Sequence, residues 1–124
     1  MRKIFRGATT FAVAAVTTMM MSVGATSAQA DDLTWAGCPY GSVCIYPQDQ
    51  NPAVSPSHIF TAYGAHNLSN QYGNHWVLNN QYGGAFADLC HGYNATRCIS
   101  RSIHEGAGVY ADLTPINSVW LWTA

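Results

Sequence analysis

Asn117-Ser118-Val119-Trp120-Leu121-Trp122-Thr123 is the clearest strand in the chain, and its alternation decides the fold class. Successive strand residues point to opposite faces, so Val119 and Leu121 share one face and Trp120 and Trp122 the other. Working back from it, Gly108 to Leu113 runs up to Thr114-Pro115, and Ala85-Phe86-Ala87-Asp88-Leu89 follows the Gly83-Gly84 pair. His75-Trp76-Val77-Leu78, His58-Ile59-Phe60-Thr61-Ala62 and Ser42-Val43-Cys44-Ile45-Tyr46 complete the set. Helix signals are almost absent. Short β-branched and aromatic runs, punctuated by Gly, Pro and Asn, predict an all-β sandwich or barrel. The longest irregular stretch, Pro47 to Ser57, carries Pro47, Pro52 and Pro56 and predicts an extended exposed loop.

The front of the chain has a different character. Arg2, Lys3 and Arg6 form a basic head, an apolar run follows from Ala8 to Val23, and Ala28-Gln29-Ala30 precedes Asp31-Asp32. This pattern predicts a secretory signal peptide over residues 1–30, cut after Ala30, and a single domain over residues 31–124. The apolar run, broken by threonines, is too short to span a bilayer comfortably. Three of the five Lys and Arg residues lie in the leader, so the secreted chain sets two cations against six carboxylates, a net charge of −4. Such a surface has no electrostatic footprint for nucleic acid or anionic lipid, and neither is expected as a partner.

Cys38, Cys44, Cys90 and Cys98 all follow the leader. An even number in a small exported chain reads as two disulfides. Three pairings are open. The turn residues Pro39-Tyr40-Gly41 and His91-Gly92-Tyr93-Asn94 favour the local pairs Cys38–Cys44 and Cys90–Cys98, each stabilising by about 2–3 kcal/mol on a chain-entropy model. The spacings do not suit zinc.

Leu68-Ser69-Asn70-Gln71-Tyr72-Gly73 recurs as Leu78-Asn79-Asn80-Gln81-Tyr82-Gly83. Two copies do not make a solenoid, and two similar turns, each with a Tyr over a Gly, are expected. A division into Cys38–Leu78 and Asn79–Ala124 is compatible with two Greek-key-like halves.

Cys38-Pro39-Tyr40-Gly41-Ser42-Val43-Cys44-Ile45-Tyr46, Asn79-Asn80-Gln81, Ala85 to Cys90, Cys98 and the closing Leu113-Thr114-Pro115-Ile116-Asn117-Ser118-Val119 together resemble the small exported actinomycete metalloproteinase-inhibitor family. The resemblance spans nearly all of Cys38 to Leu121. It implies a βγ-crystallin-like Greek-key sandwich with two disulfides, and inhibition of an extracellular metallopeptidase as the activity. The βγ-crystallin calcium pattern is not met. Aligning its final Ser with Ser118 places Leu113 where an oxygen ligand belongs, and Asn117 replaces the first Ser. Calcium wants six to eight oxygens, so neither calcium nor any other cofactor is expected. A site of backbone carbonyls plus Asp112 is the alternative.

No enzyme motif emerges among His58, His66, His75, His91 and His104: there is no His-Glu-x-x-His and no Gly-x-Ser-x-Gly. A spatial triad such as Ser102, His104 and Asp112 depends on geometry alone. The expectation is a binding protein. Two segments suit loop insertion into a peptidase cleft: the proline-stiffened loop with Asp49, Asn51 and Pro52, and the cysteine-flanked loop with His91, Tyr93 and Asn94. A rival reading makes Trp120 and Trp122 an exposed platform for polysaccharide or cell wall, and a third is a microbial toxin of the same fold.

Overall fold

The alternating segments form eight strands in the computed structural model, which describes residues 33–99 and 101–124. The predicted leader, 1–30, lies outside the described residues. In chain order the strands are β1 (Ser42–Ile45), β2 (His58–Phe60), β3 (Gly64–Asn67), β4 (Asn74–Asn80), β5 (Ala85–Cys90), β6 (Ile103–His104), β7 (Gly108–Asp112) and β8 (Ser118–Thr123). The described residues contain no helix. All six sequence-predicted strands are present, with ends shifted by at most two residues. β3 and β6 were not expected, because Gly-Ala-His-Asn is poor in strand formers and β6 is only two residues long.

Two antiparallel four-stranded sheets result, ordered β2-β1-β4-β7 and β3-β8-β5-β6. The order carries an internal relation: raising β2, β1 and β4 by four gives β6, β5 and β8, which are consecutive in the other sheet. The remaining strand of each half crosses over. β3 pairs with β8, and β7 pairs with β4. Each half therefore lends its third strand to the sheet of the other, and the two halves cannot separate without breaking ladder bonds.

Alternation places Val43, Ile45 and Val77 of one sheet against Ala87, Leu89, Val119 and Leu121 of the other. Leu68, Ile103, Leu113 and Ile116 fill the same core from the connections and from β6. A second cluster lies on the outer face of the first sheet, where Cys38, Cys44, Tyr46 and Leu78 pack with Trp35 and Trp76. The disulfide Cys38–Cys44 folds residues 35–41 over this face, and Tyr46 Oη donates to the Ala36 carbonyl at 2.8 Å. This explains why every residue of β1 is buried instead of every second one. The second disulfide is Cys90–Cys98, so both local pairings hold. Two disulfides in a small all-β protein are compatible with an extracellular location.

Buried polar side chains tie the layers together. Asn79 has no exposed surface, yet all its amide groups are used. Its Nδ2 donates to Ala85 O at 3.2 Å and Ile103 O at 2.8 Å, while Oδ1 accepts from Gln81 N and Gln81 Nε2, both at 3.0 Å. The side chain thus leaves β4 and bonds β5 and β6 of the opposite sheet. His75, 4% exposed, faces a carbonyl with each ring nitrogen, Tyr46 O at 2.6 Å and Tyr72 O at 2.9 Å.

Asn79→Ala leaves two carbonyls and the Gln81 backbone N–H without their partner. At about 1–3 kcal/mol for each orphaned buried group, partly relieved by water, a loss of about 3–5 kcal/mol is expected. Urea unfolding measures it; a loss below about 1 kcal/mol would show that the side chain does not hold the sheets together.

Candidate functional site

The Pro47–Ser57 loop joins β1 to β2 and is fixed along its length. At its start, Asp49 N donates to Asn74 O at 2.9 Å and Gln50 N to Pro47 O at 3.1 Å. Asp49 itself takes a left-handed backbone (φ 58°), and its Oδ1 accepts from Tyr110 Oη at 3.0 Å. That bond raises the Tyr110 phenol above its ordinary range, because the neighbouring carboxylate favours the protonated form. At the end of the loop, Ser57 N and Oγ both donate to Ile45 O. The tip turns on Asn51, whose Oδ1 accepts from Ala53 N at 2.8 Å, an Asx turn. Asn51, Ala53, Val54 and Ser55 are exposed, and Pro52 is half-buried. Asp49 therefore pins the base of the loop, and the projecting part is the Asn51–Ser55 segment.

The Cys90–Cys98 loop is fixed even more densely. His91 N donates to Arg97 O, Gly92 N to Thr96 O, and Thr96 Oγ1 to Tyr93 O. Asn94, Ala95 and Arg97 all have positive φ, between 51° and 60°, a cost tolerated because these bonds dictate the path. Asn94 is an anchor: its N–H donates to Asn67 Oδ1 at 2.8 Å, and Asn67 Nδ2 returns the bond to Asn94 Oδ1 at 3.1 Å. Buried Ser118 accepts from Ala95 N and donates to Gly92 O at 2.7 Å. His91 and Tyr93 remain exposed.

Trp120 and Trp122 do share one face of β8, turned outward from the second sheet, with Val119 and Leu121 in the core. Their rings stack on each other at 5.2 Å and 23°, and Trp122 stacks on Phe86 at 4.7 Å and 27°. The rings cover part of each other's π surface, so this is a row of half-buried stacked rings and not a flat open platform. Asp88 sits in the same row, paired with Trp120 across β5 and β8. Its Oδ1 and Trp122 Nε1 are both buried without a hydrogen-bond partner.

Among the described residues the histidines meet neighbouring rings, hydroxyls and carbonyls. His66 stacks on Phe60 at 4.7 Å, and His104 meets Phe86 edge-on. His58 Nδ1 pairs with Ser57 Oγ, and burial, with His75 nearby, pushes its imidazole below the ordinary range. Asp112 Oδ1 accepts from Thr114 N at 2.9 Å, and no hydrogen bond joins Ser102, His104 and Asp112. Leu113 is fully buried in the core. Among the described residues, no group of three or more His, Cys, Asp or Glu side chains is placed to hold a metal ion.

The two echoed hexapeptides do not form matching turns. Leu68–Gly73 connects β3 to β4, whereas Leu78–Asn80 still belongs to β4. Tyr82 lies over Gly41, not over its neighbour Gly83: a Cβ on Gly41 would sit 3.3 Å from the Tyr82 ring. Sequence reading missed this contact, which brings Tyr82 to Tyr40.

Comparison with protein-family models, curated proteins and solved structures finds no match to this chain. The reading of function therefore rests on the residues themselves.

Two predictions concern the acids. Asp88→Val removes a carboxylate whose Oδ1 is buried without a partner and adds a strand former, so the protein should gain about 1–3 kcal/mol in stability. A lowered melting temperature would mean that Asp88 is satisfied in solution. The Thr114 hydroxyl, the Thr114 backbone N–H and the charge of His75 hold the Asp112 carboxyl below the usual range, against a smaller effect of burial. The unfolded chain then takes up this proton first on acidification. Stability from Asp112 is present above the ordinary carboxylate pKa of about 3.9 and is lost as pH falls through the depressed folded value. Asp112→Asn should flatten that part of the stability–pH curve; an unchanged curve contradicts the assignment.

Proposed function

We propose that this chain is a secreted, disulfide-stabilised βγ-crystallin-like protein that inhibits an extracellular metallopeptidase by inserting the Pro47–Ser57 loop into its cleft. The exchange of third strands between the halves supports the Greek-key crystallin reading. The observation that carries the functional reading is the fixing of the loop at both ends and at its tip. A loop already held in one shape loses little conformational entropy on binding, and a cleft built for extended peptide is its natural partner.

The parts of the loop have separate roles. Asp49, held by Tyr110, and Ser57, held by Ile45, keep the two stems in place. Asn51 sets the turn at the tip. Val54, 38% exposed, is the apolar side chain that the tip offers to a specificity pocket. His91 and Tyr93 form a second rigid surface, on the Cys90–Cys98 loop, and are not needed for this mode.

Titration of the secreted protein against a thermolysin-like metallopeptidase, with a serine peptidase as control, tests the reading. Stoichiometric inhibition of the metallopeptidase alone is expected. Val54→Asp should weaken it at least about tenfold, or about 1.4 kcal/mol, and Tyr110→Phe should weaken it less, by loosening the base. Full peptidase activity in the presence of micromolar intact protein would sink the proposal.

A further inference from the structure

Three tyrosines separated in sequence meet at one end of β1. Tyr40, Tyr63 and Tyr82 surround a shallow cavity of about 160 Å³, completed by Gly41, Thr61 and Gln81. Tyr40 and Tyr82 stack at 4.9 Å and 26°. The close approach of Tyr82 depends on Gly41, whose φ of 97° excludes ordinary side chains and whose bare backbone lies under the ring. Tyr63, 59% exposed, stands by itself on the connection from β2 to β3. None of the three hydroxyls forms a hydrogen bond with the described residues.

Gln81 makes this a site with a defined polarity. The residue is 5% exposed, and its Nε2 donates inward to Asn79 Oδ1 at 3.0 Å and to Phe86 O at 3.2 Å. Those two acceptors fix which end of the amide is nitrogen, since a flipped amide would set oxygen against oxygen. Its Oε1 accepts no hydrogen bond from the described residues and is open to solvent, in a side chain that lines the cavity. A solvent-reachable carboxamide oxygen held in one orientation can accept from a ligand donor in place of water.

We propose that this cavity binds one neutral pyranose ring of an extracellular polysaccharide. The lining contains no charged side chain, so an ionic ligand would lose its hydration without a counter-charge. A sugar ring offers an apolar face to the phenol rings, a hydroxyl to donate to Gln81 Oε1, and further hydroxyls that exchange hydrogen bonds with the tyrosine hydroxyls. A quaternary ammonium group would suit the aromatic rings but has no N–H or O–H to give to Gln81, and no carboxylate lines the cavity. The proposal is independent of peptidase inhibition. Pro47–Ser57 leaves β1 beyond Ile45, whereas Tyr40 precedes Ser42 and Tyr63 follows Phe60, the antiparallel partner of Val43. The two surfaces lie at opposite ends of the strand.

The test is calorimetric and saturation-transfer titration of the secreted protein with cellohexaose, laminarihexaose and chitohexaose, with tetramethylammonium as the competing chemistry. Binding of at least one oligosaccharide is expected. Tyr63→Ala and Tyr82→Ala should each weaken it at least tenfold at unchanged melting temperature, while Tyr72→Ala, an exposed tyrosine on another loop, leaves it unaltered. Tyr63 packs on no other ring, so its loss tests the site even if Tyr82→Ala disturbs the turn. Failure of all three sugars to bind at millimolar concentration overturns the proposal. So does retention of affinity in both tyrosine variants, or displacement of the sugar by tetramethylammonium. Peptidase inhibition should be the same in Tyr63→Ala as in the parent, so failure of either reading is seen without the other.

Discussion

Asn79 holds together what the strand order only brings near. Hydrophobic contact between two sheets is non-directional and fixes neither their angle nor their register. A fully buried amide that leaves β4 to bond Ala85 and Ile103 allows only one arrangement. Gln81 then depends on Asn79, because both its N–H and its Nε2 are bonded to Asn79 Oδ1. Asn79 thus helps position the turn after β4, together with the Gln81 bond to Phe86 O and the stacking of Tyr82 on Tyr40. A partly satisfied network would be worse than an apolar core, and here every polar atom of Asn79 is used.

The low charge of the domain shapes what its surface can do. Residues 33–124 set two cations against four carboxylates, which gives little long-range steering, so recognition would fall to contact chemistry. Six of the seven tyrosines are largely exposed, and the loops are rich in Asn, Gln, Ser and Gly. Tyrosine offers a large rigid contact area at low conformational cost, and small amides and hydroxyls adapt their hydrogen bonds. This composition suits shaped, uncharged binding sites.

Much of the fold was legible because alternation is a strong signal where one face is buried. Val119, Leu121, Val43 and Ile45 all took the core side that their period implied. β3 stayed hidden because it is an edge strand of weak formers, held by pairing with β8 and not by its own propensity. β6 is too short to show any period. The site was harder to read. Nothing in sequence places Tyr110 beside Asp49. The stacking of Trp120 on Trp122 depends on ring rotation, which alternation does not specify. The tyrosine cavity draws on three separate turns, and its one sequence trace, the repeated Gln-Tyr-Gly, pointed to similarity between turns that the fold uses differently.

The two disulfides act locally, and this links the fold to the surfaces it offers. Each joins cysteines only six or eight residues apart, so its effect on the entropy of the whole unfolded chain is near the small end of what a bridge can give. Their larger consequence is where they hold the chain. Cys38–Cys44 keeps residues 35–41 over the outer face of the first sheet, which creates the second hydrophobic cluster and sets Tyr40 and Gly41 beside Tyr82. Cys90–Cys98 closes the loop whose strained Asn94, Ala95 and Arg97 need a fixed path. The main core contains no cysteine and is buried by strands from both halves. Reduction is therefore expected to loosen residues 35–41 and the Cys90–Cys98 loop before it loosens the core.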